Sequence, residues 1–229
     1  MWKQLLAVVV LAAFAAVPTT SEAAGSKPLE PESNAPSDPE PVKTPEEMAI
    51  DHYNFGLTYR DKAWKFEEKA AAAANEKERM KAETKAQKTW KKAIREFESA
   101  VGKNEEFFQA YGSLGYARRK TGEFESSLTA YDRALQIEPA YGEAVEYRAE
   151  AYLGLDRVDD AKEAYTQLFS GARELADELL AAMKVYVENR RSEGGVDAAT
   201  LDAFSEWVTE REEIANQTAS VSELRDRDW

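Results

Sequence analysis

Between positions 108 and 141 the apolar residues fall into two short helical stretches separated by one break. Tyr111, Leu114 and Gly115 share one face of the first stretch, and Ser127, Tyr131 and Ala134 share one face of the second. Small residues at 115 and 127 mark where two antiparallel helices touch, since a large side chain there would wedge them apart. Tyr111, Leu114 and Tyr131 fill the space around that contact, and Gly122 ends the first helix. Pro139 cannot continue a helix interior, so the chain turns there into the next segment. The same order returns with Gly142 as the next start. Ala149 takes the helix contact, Ala161 the small position of the second helix and Tyr165 its aromatic position. Leu168 replaces the last small residue, and no proline follows.

Upstream, His52, Phe55/Gly56, Tyr59, Ala63, Phe66 and Ala70 recur in steps of three and four, the rhythm of a two-helix seam. Ala82, Ala86, Trp90, Ala93/Ile94, Phe97 and Ala100/Val101 repeat it, so 52–70 and 82–101 are predicted to pair. Trp64, Phe66 and Trp90 give the seam bulk, and the alanine run 70–74 permits close approach near its tip. Downstream, Leu175, Leu179, Met183 and Tyr186 predict one more amphipathic helix, ending near Arg190 and Arg191. Gly194 and Gly195 break the chain. Asp197 caps a last helix with a buried stripe of Leu201, Phe204, Val208 and Ile214, with Trp207 beside it. Val196 and Leu201 are placed as a hydrophobic staple.

The aromatic, Leu-Gly, small, aromatic, small and proline order of Tyr111, Leu114, Gly115, Ser127, Tyr131, Ala134 and Pro139 resembles the 34-residue tetratricopeptide repeat. The resemblance implies an all-α solenoid of helical hairpins, because one hairpin cannot bury its own apolar face. Phe55-Gly56-x2-Tyr59 resembles the first half of such a unit, and Ala93-x3-Phe97-x2-Ala100 the second half. From Gly115 to Ser127 is a step of 12, whereas from Gly56 to Ala93 is a step of 37, an excess of 25. The first unit is therefore expected to be a hairpin whose two helices both run on by roughly a dozen residues, projecting about 18 Å. One long continuous helix is the alternative. The expected organisation is a signal peptide at 1–23, a linker at 24–43 and the extended hairpin at 44–107. Two repeat units follow at 108–141 and 142–171, then capping helices at 172–217 and a polar tail at 218–229.

In this family the first helix of each unit lines a concave groove that takes a peptide or a partner helix. Carried onto this chain, the groove residues are Tyr53, Leu57 and Arg60, then Gln109, Gly112, Tyr116 and Arg119, then Glu143, Glu146, Glu150 and Leu153. Members that clamp chaperone carboxylates use paired Lys and Asn, but Gly112, Tyr116, Glu146 and Glu150 stand here instead. Three glutamates at spacings of three and four share one face and repel one another. They are read as a solvated acidic face, or as an acidic floor selecting a basic or amphipathic peptide with Tyr53 and Tyr116 as its apolar contacts.

Composition adds an address. Met1-Trp2-Lys3 precedes a thirteen-residue apolar run, Leu5 to Val17, and then Ser21-Glu22-Ala23, the layout of a secretory signal peptide. That run is shorter than the roughly 20 residues that span a bilayer. Residues 25–43 hold Pro28, Pro31, Pro36, Pro39 and Pro41 among polar neighbours and read as a disordered tether. Thr44, Pro45 and Glu47 then form a helix start. The signal together with the family resemblance places the protein in a bacterial periplasm, with secretion or an uncleaved anchor as alternatives. The absence of cysteine excludes disulfides, thiolate metal sites and thiol catalysis.

Net charge is −13, unevenly spread. Arg60 to Arg95 carries twelve basic against six acidic residues, while the rest carries 18 against 37. Lys81, Lys85, Lys88 and Lys92 step by four, three and four along one stripe of this basic prong. A basic hairpin outside the cytoplasm would meet anionic lipid, an envelope polymer or an acidic protein. An acidic chain without a reading motif excludes a nucleic-acid role. His52, the one histidine, is a packing residue in this reading, which leaves no base for a serine triad and no zinc set. Asp156, Asp159 and Asp160 lack calcium-loop spacing, and Asn216-Gln217-Thr218 lies within a predicted helix. No cofactor, metal or catalytic residue is assigned, nor any role to Trp229. A non-catalytic envelope adaptor or scaffold is the expected function, with docking of the basic hairpin on an anionic surface as the alternative. Cleavage is expected after Ala23, so N-terminal sequencing of the native envelope protein should start at Ala24. An intact Met1 would overturn the export reading.

Overall fold

The structure, a computed structural model, describes residues 42–225, with side chains as far as Thr218. The expected signal peptide, nearly all of the 24–43 linker and Trp229 lie outside the described residues. Every element described is a helix: α1 (Pro45–Ala71), α2 (Glu76–Lys103), α3 (Phe108–Lys120), α4 (Phe124–Ile137), α5 (Gly142–Gly154), α6 (Val158–Gly171), α7 (Arg173–Glu193) and α8 (Ala198–Arg225). Successive helices pack on one another from α1 to α7, α3 also touches α5, α7 lies on both α5 and α6, and α8 lies on α7. The architecture is an all-α solenoid of helical hairpins with a two-helix end.

The 34-residue spacing is built into it. α3 and α5 start at 108 and 142, α4 and α6 start at 124 and 158, and α2, α4 and α6 end at 103, 137 and 171. The turn geometry repeats as well. Gly122 follows α3 with φ 81°, and Asp156, one repeat length later, holds φ 58° in the equivalent turn. That backbone region disfavours residues bearing a Cβ, although Asp enters it more readily than most. Tertiary contacts hold Asp156 there: its carboxylate accepts from the Tyr186 hydroxyl at 2.9 Å and from Arg190 Nε at 2.7 Å, both on α7.

The first two hairpins close by laying a ring on a glycine. A Cβ placed on Gly115 would lie 2.6 Å from the Tyr131 ring, and one on Gly56 would lie 2.4 Å from the Phe97 ring. Tyr131 follows Phe97 by one repeat length, and Tyr165, buried with Ala149, follows by another. The first hairpin therefore keeps the crossing of an ordinary unit. It differs only in how far its helices continue.

The continuation has its own seam. α1 buries Ala49, Gly56, Ala63 and Ala70, four small residues seven apart, while α2 buries Trp90 and Phe97 at the same interval. A strict seven-residue repeat is the pattern of two helices winding gently left-handed about each other. Thr44 and Glu47 form a reciprocal cap at the start of α1, with Pro45 in its first turn. The tip lies at residues 72–75, where Asn75 caps α2 by accepting from the Glu78 N–H at 3.0 Å. The end of α3 meets this hairpin at Gln87, whose Nε2 donates to the Lys120 carbonyl at 3.2 Å, and at Glu67, which pairs with Lys120 at 2.9 Å. Beyond these contacts α1 runs on for four residues, 68–71, and α2 comes back over 76–86, about 6 Å and about 16 Å of helix respectively. The continuous-helix alternative is excluded.

Three sequence expectations are corrected. Phe55 is 59% exposed, because Gly56, not its neighbour, faces the seam. Ile214 is 38% exposed, and Ala215 takes the buried position in α8, one residue on from the expected stripe. Residues 218–225, expected as a polar tail, continue α8. The remaining caps hold: the Asp197 carboxylate accepts from Thr200 N–H at 2.9 Å and Ala199 N–H at 3.3 Å, and Val196 packs on the cluster that contains Leu201.

Gly115→Leu drives a side chain into the Tyr131 ring, so overpacking should cost on the order of 1–3 kcal/mol. Thermal unfolding followed by helical circular dichroism should shift down. An unchanged melt would show that the ring can retreat without cost and that the crossing is not set there.

Candidate partner-binding groove

The first helices of the hairpins, α1, α3 and α5, carry the residues expected to line a groove, and their side chains meet in an unexpected way. Trp64 of α1 lies edge-on to Tyr116 of α3 with ring centroids 6.0 Å apart, and its Nε1 donates to the Tyr116 hydroxyl at 3.2 Å. Tyr116 in turn meets Tyr147 of α5 at 5.1 Å and Trp90 of α2 at 5.6 Å. Cations sit on these rings. The Arg60 guanidinium lies 4.5 Å from the Trp64 centroid, and that of Arg119 lies 5.1 Å from Tyr116 and 5.6 Å from Tyr147. The result is a half-buried file of rings, Trp64, Tyr116 and Tyr147, running across three helices and bracketed by two arginines.

Arg60, Tyr116 and Arg119 thus belong to one constellation. Tyr53 and Leu57 lie one to two turns away on α1 and are half-buried. Tyr53 packs on Phe97 at 5.9 Å and on Phe107 at 4.8 Å, a structural contact that leaves part of its ring open. Gln109 is exposed at the start of α3, and Glu143 is half-buried at the start of α5. Gly112 is covered, since a Cβ there would stand 2.7 Å from the Tyr141 ring, and Leu153 is buried. His52 is half-buried and makes a 2.8 Å hydrogen bond with Glu96 across the α1–α2 seam. Trp64 and Tyr147 were not anticipated as groove residues. The signal was present only as aromatics one turn from the expected lining positions, and it becomes legible once the helices are stacked in space.

The acidic face is the main correction. Glu146 is only 3% exposed, and Glu150 forms an ion pair with Arg119. Glu146 is therefore withdrawn from solvent and the half-buried Glu150 is neutralised by Arg119, so no acidic floor of the expected kind is presented to a basic peptide. Burial pushes the Glu146 carboxyl up to about 9, and the neighbouring Glu150 carboxylate pushes in the same direction, against the opposing pull of Arg119. Burial works against the charge of Arg119, yet Glu150, Tyr131 and Tyr116 hold its pKa above the ordinary guanidinium value. Glu146 Oε2, Arg119 Nε and the Tyr131 hydroxyl are buried with no hydrogen-bond partner among the described residues, which makes this polar cluster costly for its size. A neutral Glu146 keeps that cost lower than a second buried anion beside Glu150.

Lys81, Lys85, Lys88 and Lys92 are all exposed on α2. Lys85 lies 5.7 Å from the Phe66 ring and Lys92 5.7 Å from the Tyr59 ring, both on α1, and none of the four has a carboxylate within ion-pair distance among the described residues. An open pocket of about 450 Å³ lies elsewhere, between α6 and α8, lined by Lys162, Glu163, Thr166, Gln167, Ser170 and Trp207. Among the described residues no group of three His, Asp or Glu side chains converges as a metal site, and no helix is long and apolar enough to cross a membrane. The chain matches no family model and no curated protein sequence.

The buried carboxyl has a measurable consequence. Unfolded, Glu146 releases its proton near the ordinary value of about 4.3; folded, it holds the proton to higher pH. Stability is therefore fully present below the unfolded value and falls as pH rises, by at most about 1.4 kcal/mol per pH unit. The groups facing it are Tyr147 and Glu150 on the same helix, Arg119 on α3, Tyr131 on α4 and Glu178 on α7. Glu146→Gln should flatten the decline between about pH 5 and 9 and make the variant the more stable protein at about pH 8. Denaturant unfolding across that range measures it, and parallel curves for the two proteins would mean Glu146 is ionised when folded.

Proposed function

We propose that this chain is an exported, non-catalytic adaptor of the tetratricopeptide type, binding a peptide or partner helix of another envelope protein along α1, α3 and α5. The observation that carries the reading is the half-buried file of Trp64, Tyr116 and Tyr147 with Arg60 and Arg119 on its rings. Trp, Tyr and Arg are the residue types that dominate binding energy where protein surfaces meet. Here they are already held in place, so a ligand would not have to order them. The 34-residue hairpin spacing supports the assignment to the repeat type. Because Arg119 neutralises Glu150 and Glu146 is buried, the ligand is an amphipathic segment led by apolar or aromatic side chains rather than a basic one.

The test uses substitutions at the edge of the file that do not touch its core. Gln109 is exposed and Glu143 half-exposed, so Gln109→Arg with Glu143→Arg should change stability little. Mature wild-type chain used as bait in an envelope extract should retain a specific partner, and the double variant should retain at least tenfold less, a loss of about 1.4 kcal/mol. Equal retention by a variant of unchanged helicity would move the binding site elsewhere.

A further inference from the structure

The two ends of the solenoid carry opposite charge in matching patterns. At one end, the exposed stripe Lys81, Lys85, Lys88 and Lys92 runs along α2 in steps of four, three and four. At the other, Asp202, Glu206, Glu210 and Glu213 of α8 are all exposed and step by four, four and three, which covers the same length of helix. Both stripes are therefore about 16 Å long. The acidic stripe lies on the face of α8 opposite Leu201, Phe204, Val208 and Ala215, the residues that bury it against the body. The contacts of α8 run to α7 and, through Phe204 and Trp207, to Lys162 and Tyr165 of α6, which leaves the acidic face uncovered among the described residues.

Neither stripe is satisfied by ion pairs among the described residues. Glu206, Glu210 and Glu213 have no cationic partner among the described residues, and Asp202 has only Arg191 at 4.0 Å. Like charges at i,i+4 on one helix repel, so an approaching row of cations relieves a cost already present in the folded chain. The balance of each end agrees. Arg60 to Arg95 carries twelve basic and six acidic residues, and Arg173 to Thr218 carries five basic and eleven acidic. The two stripes lie on helices that do not pack on each other, so they do not close within one molecule.

We propose that the prong of one copy docks along α8 of a second copy, with the lysine stripe of α2 against the carboxylate stripe of α8. The contact is head-to-tail: each molecule offers a prong at one end and an acidic helix at the other. Such a heterologous contact propagates into a chain, or into a ring if its rotation closes. Opposite charge at the two ends also steers molecules into this order. One helix against another over about 16 Å lies at the small end of protein contacts, so association is weak and reads out at about 0.1 mM protein. The assembly leaves the ring file of α1, α3 and α5 outside the contact, so it is independent of the adaptor reading.

Two neutralised variants test it. One carries Lys81→Gln, Lys85→Gln, Lys88→Gln and Lys92→Gln; the other carries Asp202→Gln, Glu206→Gln, Glu210→Gln and Glu213→Gln. Gln keeps helix propensity close to that of Lys and Glu, and circular dichroism verifies the fold of each. By analytical ultracentrifugation the wild-type mature chain should rise above one-chain mass with concentration in about 0.1 M salt, and return to it near roughly 1 M, where screening acts within about 3 Å. Each variant alone should stay at one-chain mass. Mixed one to one, they should form a two-chain complex and stop, because only one intact stripe of each kind remains. A wild-type chain that stays single at about 0.1 mM, variants that still self-associate, or a mixture that stays single would each overturn the proposal. Binding of the single wild-type chain to phosphatidylglycerol vesicles, lost in the lysine variant, would assign the stripe to lipid and overturn it equally.

Discussion

The approach of an aromatic ring onto a residue with little or no side chain is the contact on which this fold depends. Phe97 lies over Gly56 and Tyr131 over Gly115, at separations that leave no room for a Cβ. The ring supplies a large apolar surface, and the glycine lets the partner helix come close enough to use it. Because the rings recur once in every repeat, each hairpin presents the same shape to the next, and the buried clusters follow one another along the stack. A large residue at the glycine or a small one at the ring would open the crossing and with it the faces on both sides.

That local closure explains how the first hairpin lengthens without disturbing the stack. Its crossing at Gly56 and Phe97 is the ordinary one, and α3 leaves it at Gln87 and Glu67. Beyond those residues the two helices need only each other. A seven-residue row of small side chains on α1 accepts Trp90 and Phe97 of α2 alongside the stack, and beyond it only Ala70 and Ala86 are buried. The prong's exposed surface is then free to differ in charge from the body, and it does. The lysines that it carries are spread over solvent and aromatic rings, not matched by carboxylates on the same hairpin.

The repeat register, the extended hairpin, a tip near the alanine run 70–74 and the Asp197 cap were legible because each rests on residue type and spacing along one or two adjacent helices. What was not legible depends on pairing between units. Glu146 reads as a surface glutamate from its helical spacing, yet it is buried beside Tyr131, Tyr147 and the Arg119–Glu150 pair. Arg119 and Glu150 lie on different helices of different units, and periodicity on either one says nothing of their meeting. Phe55 and Ile214 fail for a simpler reason: a pattern defined by residue pairs such as Phe55/Gly56 leaves one position of ambiguity, and the larger apolar residue is not always the inward one. At the first, the Phe97 ring leaves no room for a side chain, so Gly56 holds the inward position; at the second, Ala215 continues the seven-residue step Leu201, Val208, Ala215 and Ile214 does not.

The claim that the first hairpin is a repeat unit built on the same ring contact is most directly tested by a double-mutant cycle at Gly56 and Phe97. Gly56→Ala, Phe97→Leu and the double variant would be unfolded in denaturant and compared with the wild type. If the Phe97 ring is what excludes a Cβ at Gly56, most of the cost of Gly56→Ala should vanish in the Phe97→Leu background, giving a coupling of roughly 0.5–3 kcal/mol, the range seen for residues in direct contact. Costs that simply add would mean the ring and the glycine act independently, and the contact would not be what sets the crossing.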